Sequence, residues 1–243
     1  MGIQTKTRRF ADDKVPPLVD NTGMRSTKIA KKLNDFFTKH ELVRFEKGTS
    51  IERPGDVPQF IYYIKSGFIR MYAVSPGGEE LTLNIFKPGS YSYILMPIED
   101  NSRFYYFEAL TEVEAYKALR SQATEFIKGD AELLYELLER VGAGVMGLLT
   151  RMESLVFGSA YSKVAGVFLI LGKRFGMPDG SLRMGIDFPV THQQVAYMAG
   201  LSRETATHQI LKLKKEGLVS TDKKCYFVED MEKLTEVAEL SQY

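Results

Sequence analysis

One cysteine, Cys225, stands in a chain of 243 residues. No internal disulfide can form, and an iron-sulfur cluster, which needs several thiolates, would lack its ligands. Cys225 itself reads as a small packed residue, and such scarcity suits a cytoplasmic chain. The three histidines, His40, His192 and His208, are too dispersed to imply a haem or zinc site, and none falls between residues 45 and 119. That argues against a metal-dependent β-roll enzyme of the cupin kind, whose strands present clustered histidines and carboxylates. No enzymatic activity, metal or cofactor is expected. The longest apolar run, Val164 to Leu171 with a glycine inside it, falls far short of the roughly 20 residues of a membrane span, and no N-terminal segment resembles a signal peptide. Charge of one sign is lacking too. The formal net charge is +1, so affinity for a polyanion has to come from local placement of charge. What the chain does have is 44% hydrophobic and 26% charged residues, enough for one large or two modest cores.

The pattern changes along the chain. Residues 1–25 are polar and without sustained period, which predicts a loosely held arm. Ile29, Leu33, Phe36 and Phe37 suggest a short amphipathic helix. From Leu42 to Leu119, short strand-like runs are punctuated by Gly48, Pro54-Gly55, Ser66-Gly67, Pro76-Gly77-Gly78 and Pro88-Gly89, spacings typical of a β-sandwich or barrel. Within them Leu81, Leu83 and Ile85 alternate with Thr82, Asn84 and Phe86, as expected when one face packs inward. After Gly129-Asp130 the period becomes helical. Leu134, Leu138, Val141, Val145, Leu148, Met152 and Leu155 recur in steps of four and three, the pattern of a coiled-coil seam between two copies of the chain; a core helix packed on its own domain is the competing reading. Gly142, Gly144 and Gly147 each cost this helix up to about 1 kcal/mol relative to alanine and permit close approach or bending. Phe157-Gly158, followed by Ser159 as an N-cap, predicts a hinge into a helix from Ala160 to Arg174.

The most specific signal lies further on. Thr191 and Gln194 have the spacing of a capping box, Val195, Met198 and Ala199 give one apolar face, Gly200 stops that helix, and Ser202 caps the next. In the second helix Ala206, Ile210 and Leu213 fall on one side. Arg203, Glu204, Thr205, Thr207, His208 and Lys212 are left for a side that could enter a DNA groove. Two helices around a tight turn make a helix-turn-helix. Arginine can hydrogen-bond guanine twice and glutamate can accept from cytosine, whereas Thr191, Gln193 and Lys214 suit phosphate contacts. Glu216 to Val219 and Cys225 to Val228, joined by Asp222-Lys223-Lys224, predict a hairpin or wing. Between Thr191 and Cys225 six Lys/Arg face three acids, a local basic surplus.

The run from Thr191 to Val219 closely resembles the DNA-binding motif of the cyclic-AMP receptor protein and fumarate-nitrate reductase regulator (Crp/Fnr) family of bacterial transcription factors. Ser202, Arg203, Glu204 and Thr205 match the start of its recognition helix, and His208 stands where many members carry arginine. Glu46-Lys47-Gly48, Pro54-Gly55-Asp56, Tyr62-Tyr63-Ile64-Lys65-Ser66-Gly67 and Lys87-Pro88-Gly89 follow the order of the family's sensory β-roll. The resemblance implies an α+β fold: a β-roll like a cyclic-nucleotide-binding domain (26–128) after the arm, a long dimerisation helix (129–157) and a winged helix-turn-helix (158–243). It implies a homodimer on a near-palindromic operator of double-stranded DNA, with RNA polymerase as a further partner if the protein activates. In cyclic-nucleotide-binding members a Gly-Glu pair and an Arg-Ser or Arg-Thr pair hold the nucleotide; here they fall on Tyr93-Ile94 and Arg103-Phe104. Only the arginine survives, so cyclic AMP in its usual pose is not expected. Tyr91, Tyr93, Met96, Arg103 and Tyr105, with Phe107, are candidates to line a pocket for another small-molecule effector; strand aromatics that are simply core, and an arginine in a surface ion pair, are the competing reading. A cyclic-nucleotide-type sensor that does not touch DNA is the alternative function.

Overall fold

The computed structural model describes residues 27–54, 59–91, 105–178, 183–223 and 225–238. The arm at 1–25 lies outside them. The chain opens with α1 (Thr27–Phe37), whose Ile29, Leu33 and Phe37 are fully buried at steps of four, the period of one helix face. Then come β1 (Glu41–Phe45), β2 (Ser50–Glu52), β3 (Phe60–Ser66), β4 (Ile69–Val74), β5 (Glu80–Phe86), β6 (Tyr105–Ala109) and β7 (Val113–Leu119). They pair antiparallel into two sheets, ordered β1-β7-β3 and β2-β6-β4-β5. Tyr62, Ile64, Val113 and Ala115 of the first meet Ile69, Phe86, Phe107 and Ala109 of the second in a shared core, which is how a β-sandwich removes apolar faces from water. Ile61, Tyr63 and Ala118 point to the outer side of the first sheet. There they pack on α1, on α2 (Arg120–Lys128) and on the start of α3 (Ala131–Phe157), through Ala123, Ile127, Leu133 and Leu137.

β5 departs from expectation. Thr82 is buried at 3% exposure while Leu81 and Leu83 are half-buried, the reverse of the simple alternation. The cause is a bulge: Met71 opposes Asn84 but Tyr72 opposes Thr82, which leaves Leu83 as an extra residue and resets which side chains face in. Phe86 then joins the sandwich core, whereas Ile85 joins the core of the C-terminal half.

That half begins with α4 (Ala160–Phe175), capped by Ser159, whose hydroxyl accepts from the Ser162 amide at 3.1 Å. A side chain at Gly158 would meet the Ser154 carbonyl at 2.4 Å, so the tight joint between α3 and α4 requires glycine. The remaining elements are β8 (Gly176–Pro178), β9 (Met184–Ile186), α5 (His192–Ala199), α6 (Arg203–Lys215), β10 (Val219–Asp222), β11 (Cys225–Val228) and α7 (Met231–Ala238). The four strands form one sheet, β10-β11-β9-β8. Val164, Phe168, Leu171, Val195, Ile210 and Leu234 fill the core beneath it, and Phe68, Ile85 and Leu110 of the sandwich are continuous with that core. Phe68 lies 4.6 Å from Phe188 and 5.9 Å from Phe175, ring centre to ring centre. The two halves of the protomer are therefore in buried contact. Among the described residues no helix is long and apolar enough to cross a membrane.

Candidate nucleic-acid interface

Local chemistry builds the helix pair. The Thr191 hydroxyl accepts from the Gln194 amide at 3.1 Å and the Gln194 side chain accepts from the Thr191 amide at 2.7 Å, a reciprocal cap on α5. α5 buries Val195, Ala196, Met198 and Ala199. Gly200 closes it in the left-handed conformation, φ 62°, and Leu201 returns its amide to the Ala196 carbonyl at 3.1 Å. A β-carbon at Gly200 would touch Leu155 and Leu81 only at ordinary contact distance, 3.6 and 3.8 Å, so the backbone angle is what selects glycine. Ser202 then caps α6 by accepting from the Thr205 amide at 3.2 Å. These devices give a direct expectation. Thr191→Ala should cost about 1 kcal/mol of stability, and Gly200→Ala about 1 to 2 kcal/mol, because alanine resists that conformation; urea denaturation of each variant measures both.

α6 buries Ala206, Ile210 and Leu213 and exposes Arg203, Glu204, His208, Leu211, Lys212 and Lys215. The Glu204 carboxylate is held below the usual range by the backbone amide at the helix start and by the Ser202 hydroxyl. It is thus an ionised acceptor, the form that pairs with a cytosine amino group. Thr191 is exposed and Gln193 half-exposed at the start of α5. Thr205, the residue that Ser202 caps, also takes a hydroxyl contact from it at 3.0 Å. Thr207 is half-buried and shares a 2.9 Å hydrogen bond with His192 Nδ1, which locks the beginning of α5 to the middle of α6. Burial, then Lys214 and Arg203, keeps His192 below its ordinary pKa, so it is neutral at pH 7.

Two of the expected cationic contacts are partly committed elsewhere. Lys214 donates to the Thr221 hydroxyl on β10 and stands 4.9 Å over the Tyr226 ring, at the junction of α6 and the wing. Lys212 lies 4.1 Å over the Tyr161 ring. The wing itself is an antiparallel hairpin of β10 and β11 that turns through Lys223 at φ 45°; Lys224 is outside the described residues. Sequence reasoning missed Leu211. It is 56% exposed and follows Glu204 and His208 at steps of four and three, with Lys215 four further on. That spacing was the available signal, and a leucine there suits contact with a thymine methyl group.

Of the expected effector residues Tyr91, Tyr93, Met96, Arg103 and Tyr105, only Tyr91 and Tyr105 fall among the described residues, and they lie in different places. Tyr91 is buried between the β3 side of the sandwich and the helices, its hydroxyl accepting from Arg140 at 3.0 Å, and burial raises its pKa. Tyr105 is 38% exposed on β6, in the other sheet. Tyr93, Met96 and Arg103 lie outside the described residues. On α3, Leu134, Leu138, Val141, Val145, Leu148 and Met152 face outward in the protomer, and Leu155 is half-buried.

A family model for the Crp-like helix-turn-helix domain matches residues 162–237, and one for the cyclic nucleotide-binding domain matches residues 42–130, between them more than half the chain. The chain belongs to the Crp/Fnr family. Among Crp/Fnr relatives, the global nitrogen regulator of Nostoc sp. is 29% identical over 184 residues, covering 74% of this chain and 81% of that protein. The CRP-like cAMP-activated global transcriptional regulator of Mycobacterium tuberculosis is 26% identical over 193 residues, covering 79% of this chain and 85% of that protein. Among solved structures, FixK2 from Bradyrhizobium japonicum superposes with a TM-score of 0.72 at 16% identity, covering 83% of this chain and 98% of that one. The α+β architecture, a cyclic nucleotide-binding domain followed by a winged helix-turn-helix, is that of a Crp/Fnr transcription regulator.

Proposed function

We propose that this Crp/Fnr protein is a cytoplasmic homodimer that reads a near-palindromic operator through α6. The observation that carries the reading is the outward face of that helix, where Arg203, Glu204 and His208 project from a doubly capped, rigidly turned helix pair. Arg203 addresses guanine and Glu204 cytosine, Thr205 and His208 the neighbouring bases or backbone, and Thr191, Gln193 and the lysines the phosphates. The outward stripe of α3 supplies the dimer seam, which places two reading helices on successive major grooves about 34 Å apart. The organisation proposed is an arm (1–25), a sensory β-roll (26–128), a dimerisation helix (129–157) and a DNA-binding domain (158–243). RNA polymerase is the further partner if the protein activates transcription. A gel-shift assay of the purified protein on a random duplex library tests the reading; enrichment of a two-fold related sequence supports it, and absence of any retained duplex overturns it.

The β-roll is proposed to sense a small molecule other than cyclic AMP. The resemblance to cyclic-nucleotide-binding members puts Tyr93 and Ile94 in the place of their Gly-Glu pair; a ring does not suit close backbone approach to a phosphate, and isoleucine cannot accept a ribose hydroxyl. Calorimetry with cyclic AMP should therefore show no saturable heat at physiological concentration, and micromolar binding at one per subunit would overturn this. Native mass spectrometry of the purified protein is the direct search for a co-purifying effector.

A further inference from the structure

α3 carries a second stripe. Leu133, Leu137, Arg140, Gly144, Gly147 and Arg151 follow in steps of four and three, one residue out of phase with the outward seam, and face the protomer's own body. Arg151 ends this inner stripe. Its Nη1 donates to the Leu83 carbonyl at 2.7 Å; its Nη2 donates to the Thr82 carbonyl and, at 3.0 Å, to the Met198 carbonyl. One guanidinium thus joins the long helix, the sensory strand β5 and the first helix of the DNA-reading pair.

The three acceptors explain why a cation sits there. β5 is an end strand of its sheet, where backbone groups face outward without a neighbouring strand. Met198 lies in the last turn of α5, whose carbonyls have no partner within the helix and form the negative end of its dipole. A planar fork satisfies acceptors on two elements at once, which a lysine ammonium, a point charge on a flexible stem, does less well. Among the described residues no carboxylate pairs with Arg151, and burial, with Arg174 nearby, pushes its pKa down to about 10; it remains charged at neutral pH. Arg174 on α4 extends the clasp along the same strand, donating to Asn84 Oδ1 at 2.9 Å and to the Ile85 carbonyl at 2.8 Å, and Lys87 donates back to the Arg174 carbonyl at 3.0 Å.

Arg174 ties the C-terminal half to the sandwich from α4; Arg151 does so from the dimer helix by hydrogen bonds, close to where the Leu155 side chain approaches the Gly200 turn. Because the Gly200 turn and the His192–Thr207 bond fix α6 to α5, holding α5 holds the reading helix. We infer that Arg151 is a positioning residue that sets the separation of the two reading helices, and so the half-site spacing the dimer accepts. This rests on the dimeric, DNA-reading function proposed above. A step of one base pair moves a half-site by about 3.4 Å along the axis; the apolar contact of Phe68, Ile85 and Leu110 with the C-terminal core, the Arg174 bonds and the Arg151 clasp together oppose such a displacement, and the clasp is the part that ties it directionally to α3.

The test measures affinity of the full chain for duplexes built from the sequence it selects, with half-sites at the selected spacing and one or two base pairs nearer or farther. For Arg151→Lys and Arg151→Gln the preference for the best spacing over its neighbours should fall about tenfold, the scale of a lost hydrogen bond to a charged group, while the half-site sequence and dimer mass stay as in the wild type. A second measurement does not depend on DNA. Spin labels at Glu236→Cys in a Cys225→Ser background should give a narrow distance distribution across the wild-type dimer and a broadened one when Arg151→Lys is added. Equal weakening at every spacing with an unbroadened distance overturns the inference, as does an unchanged spacing profile. A wild-type protein that selects no paired site, or is monomeric, overturns the regulator reading itself, and is seen before any variant is made.

Discussion

Val145→Glu and Leu148→Glu introduced together should leave a folded protein that sediments as a monomer and binds its operator about 10²- to 10⁴-fold more weakly, the effect of losing a tethered second site. The size of the effect follows from where these residues sit. Val145 and Leu148 are each 49% exposed in the protomer, within a line that runs from Leu134 to Met152 along α3. Tyr135, Leu149, Val156 and Phe157 widen the same apolar surface. A contiguous patch of that kind is unusual on a monomer and marks an association face, and its heptad spacing fits a second copy of the same helix. In a dimer the two substitutions would bring four carboxylates into the seam, where removing them from water is costly. In the protomer the same positions are open to solvent, and the inner face of α3, with Leu133 and Leu137, is untouched. The variant should therefore keep its helical circular dichroism while its mass in sedimentation halves. A double mutant that remains a dimer would move the interface elsewhere.

Much of this arrangement was readable from local rules. The caps at Thr191 and Ser202, the stop at Gly200, the helix of Ile29 and Leu33 and the hairpin at Cys225 all depend on residues within a few positions of one another, and their chemistry is written in the sequence. The outward stripe of α3 was legible as a period, since residues repeated in steps of four and three can only form one side of a helix. β5 was misread because its bulge depends on how β4 pairs with it. Its burial also depends on a DNA-binding half that lies far along the chain, against which Ile85 packs. Arg151 gave no signal at all, because its partners are backbone carbonyls 47 to 69 positions away, which carry no residue identity. Leu211 was overlooked for a different reason. Attention to residues that hydrogen-bond bases passes over an apolar one on the same face.

Arg203→Ala should weaken operator binding by about 1 to 3 kcal/mol per contact, felt in both halves of the site, and relax preference at a single base pair in each half. Arg203 is the first residue of α6 and exposed, and the N-terminal residues of the second helix are those that meet base edges when such a pair docks. Glu204→Ala should relax a different position, since its ionised carboxylate can accept from cytosine but repels phosphate and the acceptor edge of guanine. Lys214→Ala tests the other kind of contact. If the lysine reaches a phosphate, its loss weakens all sequences about equally and lowers the steepness of the salt dependence by one neutralised charge. Because Lys214 also bridges α6 to Thr221 of the wing, the same variant should loosen the hairpin, read as faster amide exchange in β10 and β11 with the base preference unchanged. Selection from a random duplex library with each variant separates these outcomes. An Arg203→Ala protein that keeps the wild-type half-site sequence and affinity would mean that α6 is not the reading helix.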